Sequence, residues 1–203
     1  EMSRAILVNE SDITIDCNDS NMTGNASNQG IMIPSNSNNI TIVNCNIHNF
    51  TLGVGGNASL MGNNLFIANN TFSNTTNNSI SGSYSYNLTL LDNVIDQGAS
   101  GDVSLQQAHN INSTGNYFGS NVYVSNNNDI IFTNNTFDGG LETVWDANNL
   151  TFVTNNISEG NVRISSTDTL LESNDVYTTI TVASVGFVEV INNTFHSGTS
   201  YLA

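Results

Sequence analysis

The sequence contains no lysine and only two arginines, Arg4 and Arg163, against 17 acidic residues, which leaves a formal net charge of −15 over 203 residues. The imbalance comes from missing bases rather than abundant acids. A chain so poor in cations cannot lay down the basic footprint that nucleic acid or an anionic membrane surface requires. No apolar run approaches the ~20 residues of a membrane span, so membrane insertion is not expected. The His, Cys, Asp and Glu residues nowhere show the spacing of a metal site, and no cofactor is implied. What replaces charge is amide and hydroxyl: 38 Asn and 45 Ser plus Thr. Such polarity suits disorder, but Ile, Leu, Val and Phe recur at regular intervals. The chain therefore reads as a single folded domain over 1–203 with an asparagine-rich surface.

The regularity is an internal repeat. Anchored on the first core aliphatic, the copies start at Ile13, Ile40, Leu65, Leu88, Ile111, Ile130, Leu150, Thr169 and Val188, with spacings that shorten from 27 to 19 residues. Longer-looped copies fill 1–100 and regular ones of 19–20 residues fill 101–203. Two residues after the anchor comes a second apolar column, from Ile15 to Val190, broken by Ser113. The fifth position is Asn in eight of nine copies (Asn18, Asn70, Asn93, Asn116, Asn135, Asn155, Asn174, Asn193), with Cys45 as the exception. The seventh is Ser20, Ile47, Phe72, Ile95, Phe118, Phe137, Ile157, Val176 and Phe195. Anchor and second column are two apart and share one face of a strand. The next apolar column lies an odd number of residues further on, so the chain must bend between them. Asn suits that bend because it tolerates the left-handed region. A third short strand closes each copy, read as Val122/Val124, Leu141/Thr143, Val162/Ile164 and Ile180/Val182. Stacked coils then pair through parallel ladders.

The repeat resembles the right-handed parallel β-helix, the fold of pectate lyases and of NosD-like, carbohydrate-binding and sugar-hydrolase (CASH) repeats. The resemblance covers residues 5–202. It implies an all-β solenoid of about nine coils with three short strands each, the repeated Asn forming a ladder at the tight turn between the second and third sheets. A left-handed solenoid or β-roll is the runner-up, disfavoured by the lack of strict hexapeptide or nonapeptide periods. The fold alone leaves activity open.

Cys17 and Cys45 fall in adjacent coils beside the turn column, provided the first coil carries a one-residue gap. Stacked strands about 4.8 Å apart allow a disulfide; two stacked free thiols are the alternative. No amphipathic helix caps either end: the chain opens into Ala5-Ile6-Leu7-Val8 and closes with Ser200-Tyr201-Leu202. A whole number of uncapped coils is what head-to-tail stacking requires; a segment of a longer protein is the other reading.

Catalysis finds little support. A pectate-lyase-like reaction needs a base on the outer face of the first sheet. Arg163 falls there, but it is expected to pair with Glu142 of the preceding coil. The acids Asp138, Glu142, Asp146 and Asp168 are spread over adjacent coils, and the three histidines compose no triad. The outer face of the first sheet, with Tyr123, Glu142, Trp145 and Arg163, is where the family's saccharide grooves lie and is the candidate carbohydrate surface. Sixteen Asn-x-Ser/Thr sequons run along the chain, among them Asn39, Asn69, Asn87, Asn134, Asn149 and Asn192 as candidate glycosylation sites. In Asn-Asn-Thr-Phe the sequon Asn points outward and the ladder Asn beside it inward. Together these features point to a non-enzymatic, extracellular structural protein that polymerises with itself. A carbohydrate-binding or adhesin module stands second and a polysaccharide lyase or hydrolase third.

Overall fold

The computed structural model describes residues 4–96, 102–139, 143–184, 186–196 and 201–202. Every described strand pair is parallel, and the strands wind into a β-solenoid. One ladder is nine-stranded, running from Asn21–Thr23 through Thr136–Phe137 to Thr194–Phe195. This is the third sheet. The first and second sheets join into one 17-stranded ladder, because two strands run unbroken across the corner between them. These are Thr143–Val153 and Asn161–Glu172. Small residues make that corner tight: Ser37, Ser85, Ala108, Ala147 and Ser166 are all buried there. Among the described residues no helix is long and apolar enough to cross a membrane.

The repeat columns become ladder registers. Ile40, Leu65, Leu88, Ile111, Ile130 and Leu150 pair in succession along the second sheet. The second column follows two residues later and the seventh lines the third sheet, so three apolar columns fill the interior. In the C-terminal half the filling is aromatic. Phe118 stacks on Phe137 with ring centroids 5.1 Å apart, and Phe132 leans on Phe152 at 4.8 Å. Ser113, the polar gap in the second column, is fully buried and satisfied: it donates to Asn135 Oδ1 and accepts from Asn116 Nδ2.

Both turns that flank the second sheet require a left-handed residue in coil after coil. Before the sheet these are Asp12, Asn39, Asn64, Asn87, Asn110 and Asp129, with φ between 55° and 61°. After it they are Asn44, Asn69, Asp92, Gly115, Asn134, Thr154, Ser173 and Asn192, with φ between 50° and 68°. Asn and Asp occupy this region at low cost because their short polar side chains bond locally. Much of the asparagine content is therefore a geometric requirement of these turns.

Two registers differ from the sequence reading. In the first coil the turn holds two extra residues, Asn18 and Asp19, both at positive φ. Met22 therefore pairs with Ile47, and Ser20 does not enter the apolar column. Asn18 leaves the ladder: it is exposed, and its N–H donates to Asp16 Oδ1. Cys17 occupies the inward place and forms a disulfide with Cys45, Cα–Cα 4.8 Å. In the first sheet Val124 pairs with Val144 and Val144 with Ile164, so Val144 stands in register with two buried residues. Thr143 pairs with outward Tyr123. Thr143, expected in the column of Val124 and Ile164, is thus one register place away from it; Leu141 lies outside the described residues.

Candidate functional site: asparagine rows and outer faces

The best-organised polar feature is the inner row. Asn70, Asn93, Asn116, Asn135, Asn155 and Asn174 are buried, and Asn193 is half-buried. Each side chain uses both ends of its amide on the coil before it. The Asn135 Oδ1 accepts the Asn116 N–H at 2.9 Å, and the Asn135 Nδ2 donates to the Ser113 carbonyl at 2.9 Å. The same pair of bonds recurs at Asn93, Asn155 and Asn174. It extends to Asn193. At the other end the Cys45 N–H donates to Asn70 Oδ1, so the ladder passes directly into the disulfide rung.

A second, outer row was missed by the repeat count. Asn and Asp residues one place before the anchors, left-handed from Asp12 to Asp129, bond one another along the surface. Asn39 Nδ2 donates to Asp12 Oδ1 at 2.7 Å and Asn64 Nδ2 to Asn39 Oδ1 at 2.8 Å. The row continues with Asn87 to Asn64 at 2.7 Å and Asn110 to Asn87 at 2.9 Å. Two coils on, Asn149 donates to Asp129 Oδ1 at 2.6 Å. Its sequence signal was a column of Asn or Asp at the position before every anchor from Asp12 to Asp168.

Carboxylates cluster loosely on the third-sheet side. Asp138 accepts from the Ser158 hydroxyl at 2.7 Å and from the Tyr117 hydroxyl at 2.9 Å. These bonds, Ser158 first, hold the Asp138 carboxyl below its ordinary range. In return the hydrogen bond to Asp138 pushes the Tyr117 phenol upward. Further along, His196 Nε2 meets Asp175 Oδ1 at 2.5 Å and its ring stacks on Tyr177 at 4.0 Å. Near the disulfide, the Asn18 N–H and then the Asn44 amide hold the Asp16 carboxyl below its usual range. Each carboxylate is committed to hydroxyl, amide or imidazole neighbours. Among the described residues no group of three or more His, Cys, Asp or Glu could hold a metal ion.

In the first sheet, Tyr123, Thr143, Arg163 and Thr181 share one row by backbone register. Thr143 is the residue in backbone register with Arg163; Glu142, the expected partner of Arg163, lies outside the described residues. Arg163 is exposed. Trp145 lies opposite Ser125 in the same ladder. Tyr123 and Arg163 are thus brought onto one face, two coils apart. All six named sequon asparagines are exposed: Asn39, Asn87 and Asn149 in the outer row, the last two within strands, and Asn69, Asn134 and Asn192 in the turn just before the inner ladder.

No curated protein and no solved structure was found to match the chain. A family model described as right handed beta helix region matches residues 2–137, more than half of the sequence. With that match and the parallel ladders just described, the chain belongs to the right-handed β-helix family.

Proposed function

We propose that the protein is a non-enzymatic structural subunit of an extracellular filament, sheath or layer, in which β-helices stack head to tail. One observation carries this reading: the two asparagine rows bond coil to coil along the same axis. Amide groups that in a catalytic or recognition surface would face a ligand are spent here on the neighbouring coil. Main-chain N–H and carbonyl groups recur from coil to coil, so a second copy placed in register would extend the parallel ladders, with the inner asparagine row itself ending at the Cys17–Cys45 rung. The apolar columns and the disulfide add cohesion along that axis.

Electron microscopy of the purified protein over a range of salt and concentration tests the proposal. Filaments or sheets with a repeat near one stack height are expected; single compact particles under every condition would end the polymer reading. A carbohydrate-binding role is the second reading, supported by Tyr123 and Arg163 on one outward row. Glycan-array binding lost in Arg163→Ala would favour it.

A further inference from the structure

The outer-row sequons and the turn sequons look alike in the sequence but differ in the state of the amide nitrogen. Asn39, Asn87 and Asn149 each donate Nδ2 to the preceding coil, at 2.6–2.7 Å. Asn134 only accepts at Oδ1, from the Thr154 hydroxyl, and among the described residues Asn69 and Asn192 make no side-chain hydrogen bond. In the turn sequons the inner-row Asn points inward between two residues that point outward. Asn134 is exposed, Asn135 buried and Thr136 half-buried, and Asn69-Asn70-Thr71 repeats the pattern. The modifiable amide and the hydroxyl that a sequon needs therefore lie together on the surface, with the ladder untouched beneath. Turn sequons recur at every third coil, because Asp92, Gly115, Thr154 and Ser173 occupy the intervening places. At ~4.8 Å per coil this leaves about 14 Å between neighbours, room for a sugar at each.

We infer that Asn69, Asn134 and Asn192 are N-glycosylated, forming a row of glycans on the turn between the second and third sheets. Asn39, Asn87 and Asn149 stay bare in the folded protein. The inference rests on the export part of the reading above. The donor is a lipid- or nucleotide-activated sugar. Asn Nδ2 forms a bond to the anomeric carbon, the bond from that carbon to the phosphate oxygen breaks, and the phosphate leaves with the electron pair. One amide proton is released to it, and Nδ2 keeps the other.

Folded protein treated with a soluble N-glycosyltransferase and a nucleotide-activated hexose reads the difference by peptide mapping. Labelling at Asn69, Asn134 and Asn192 is expected to exceed that at Asn39 and Asn149 by about tenfold or more, since their bonds to carboxylates must open first. Asn87, bonded to a neutral amide, falls between. In reduced, unfolded chain the difference disappears. Asp12→Ala removes the acceptor of Asn39 and should raise labelling there alone. Equal labelling of both sets in the folded chain, or no response to Asp12→Ala, overturns the assignment. Protein isolated from its source supplies the second arm: glycopeptides at the three turn sites support the row, and an intact mass equal to the bare chain overturns it. Glycosylated protein that never polymerises would keep the row and remove the filament; bare filaments would do the reverse.

Discussion

The inner and outer asparagine rows are built from the same side chain, in the same coils, with bonds of similar length, yet they serve the fold differently. In the inner row each amide satisfies a main-chain N–H and a main-chain carbonyl that have no access to water. In the outer row each amide bonds another exposed side chain, and water can replace either partner. A hydrogen bond's net worth is small, while an unsatisfied buried group is costly. Equal geometry should therefore not mean equal stabilisation.

The sharpest break is Asn135→Leu. It orphans the Asn116 N–H and removes a partner from the Ser113 carbonyl, at about 1–3 kcal/mol for each buried group. Thermal melting should show a large drop; a melt at the wild-type temperature would mean the inner row is not structural. Next comes the covalent rung. Cys17→Ser opens a link across 28 residues of sequence, for which loop-closure entropy gives about 3–4 kcal/mol. Urea unfolding of this variant and of the reduced wild type should agree. The outer row is the counter-case. Asn87→Gly removes two rungs but keeps the left-handed turn accessible, and should cost below about 1 kcal/mol. A loss as large as that of Asn135→Leu would erase the distinction between the rows.

The smallest expected effect is on pH dependence. Asp16 and Asp138 have carboxyls lowered in the folded state. What they contribute is present above the ordinary carboxylate range and is lost as pH falls through their lower folded values. Tyr117 is raised, so its share is complete below the ordinary phenol range and fades as pH climbs through the raised value. Asp16→Asn should flatten the acid limb of a melting-temperature profile, and Tyr117→Phe the alkaline limb.

The inner row was legible because one residue type recurs at a fixed distance from an aliphatic anchor, and that distance spans a strand and a tight turn of constant length. It failed at Asn18 because the first coil lengthens that turn, and counting from the anchor cannot see an insertion inside it. The disulfide partners were legible as neighbours, whereas their bonding was left open until the turn's shape put Cys17 inward. The first-sheet phase failed at Thr143 for the opposite reason. That strand follows a connection of variable length, and Leu141 and Thr143 alternate as well as Glu142 and Val144 do. The outer row was present in the letters as a column of Asn and Asp, but left-handed turn residues need no ladder to explain them. Only their bonding to one another shows that they form one.

Every inner-row amide reaches toward the coil that precedes it in sequence, across 19 to 28 residues. This gives the solenoid a direction of assembly. A coil emerging during synthesis can spend both ends of its amide on the coil already in place, while its own main-chain N–H is satisfied by the coil that follows. Folding can then keep pace with translation or export one turn at a time, and the hydrophobic surface exposed at any moment stays limited to a single growing tip.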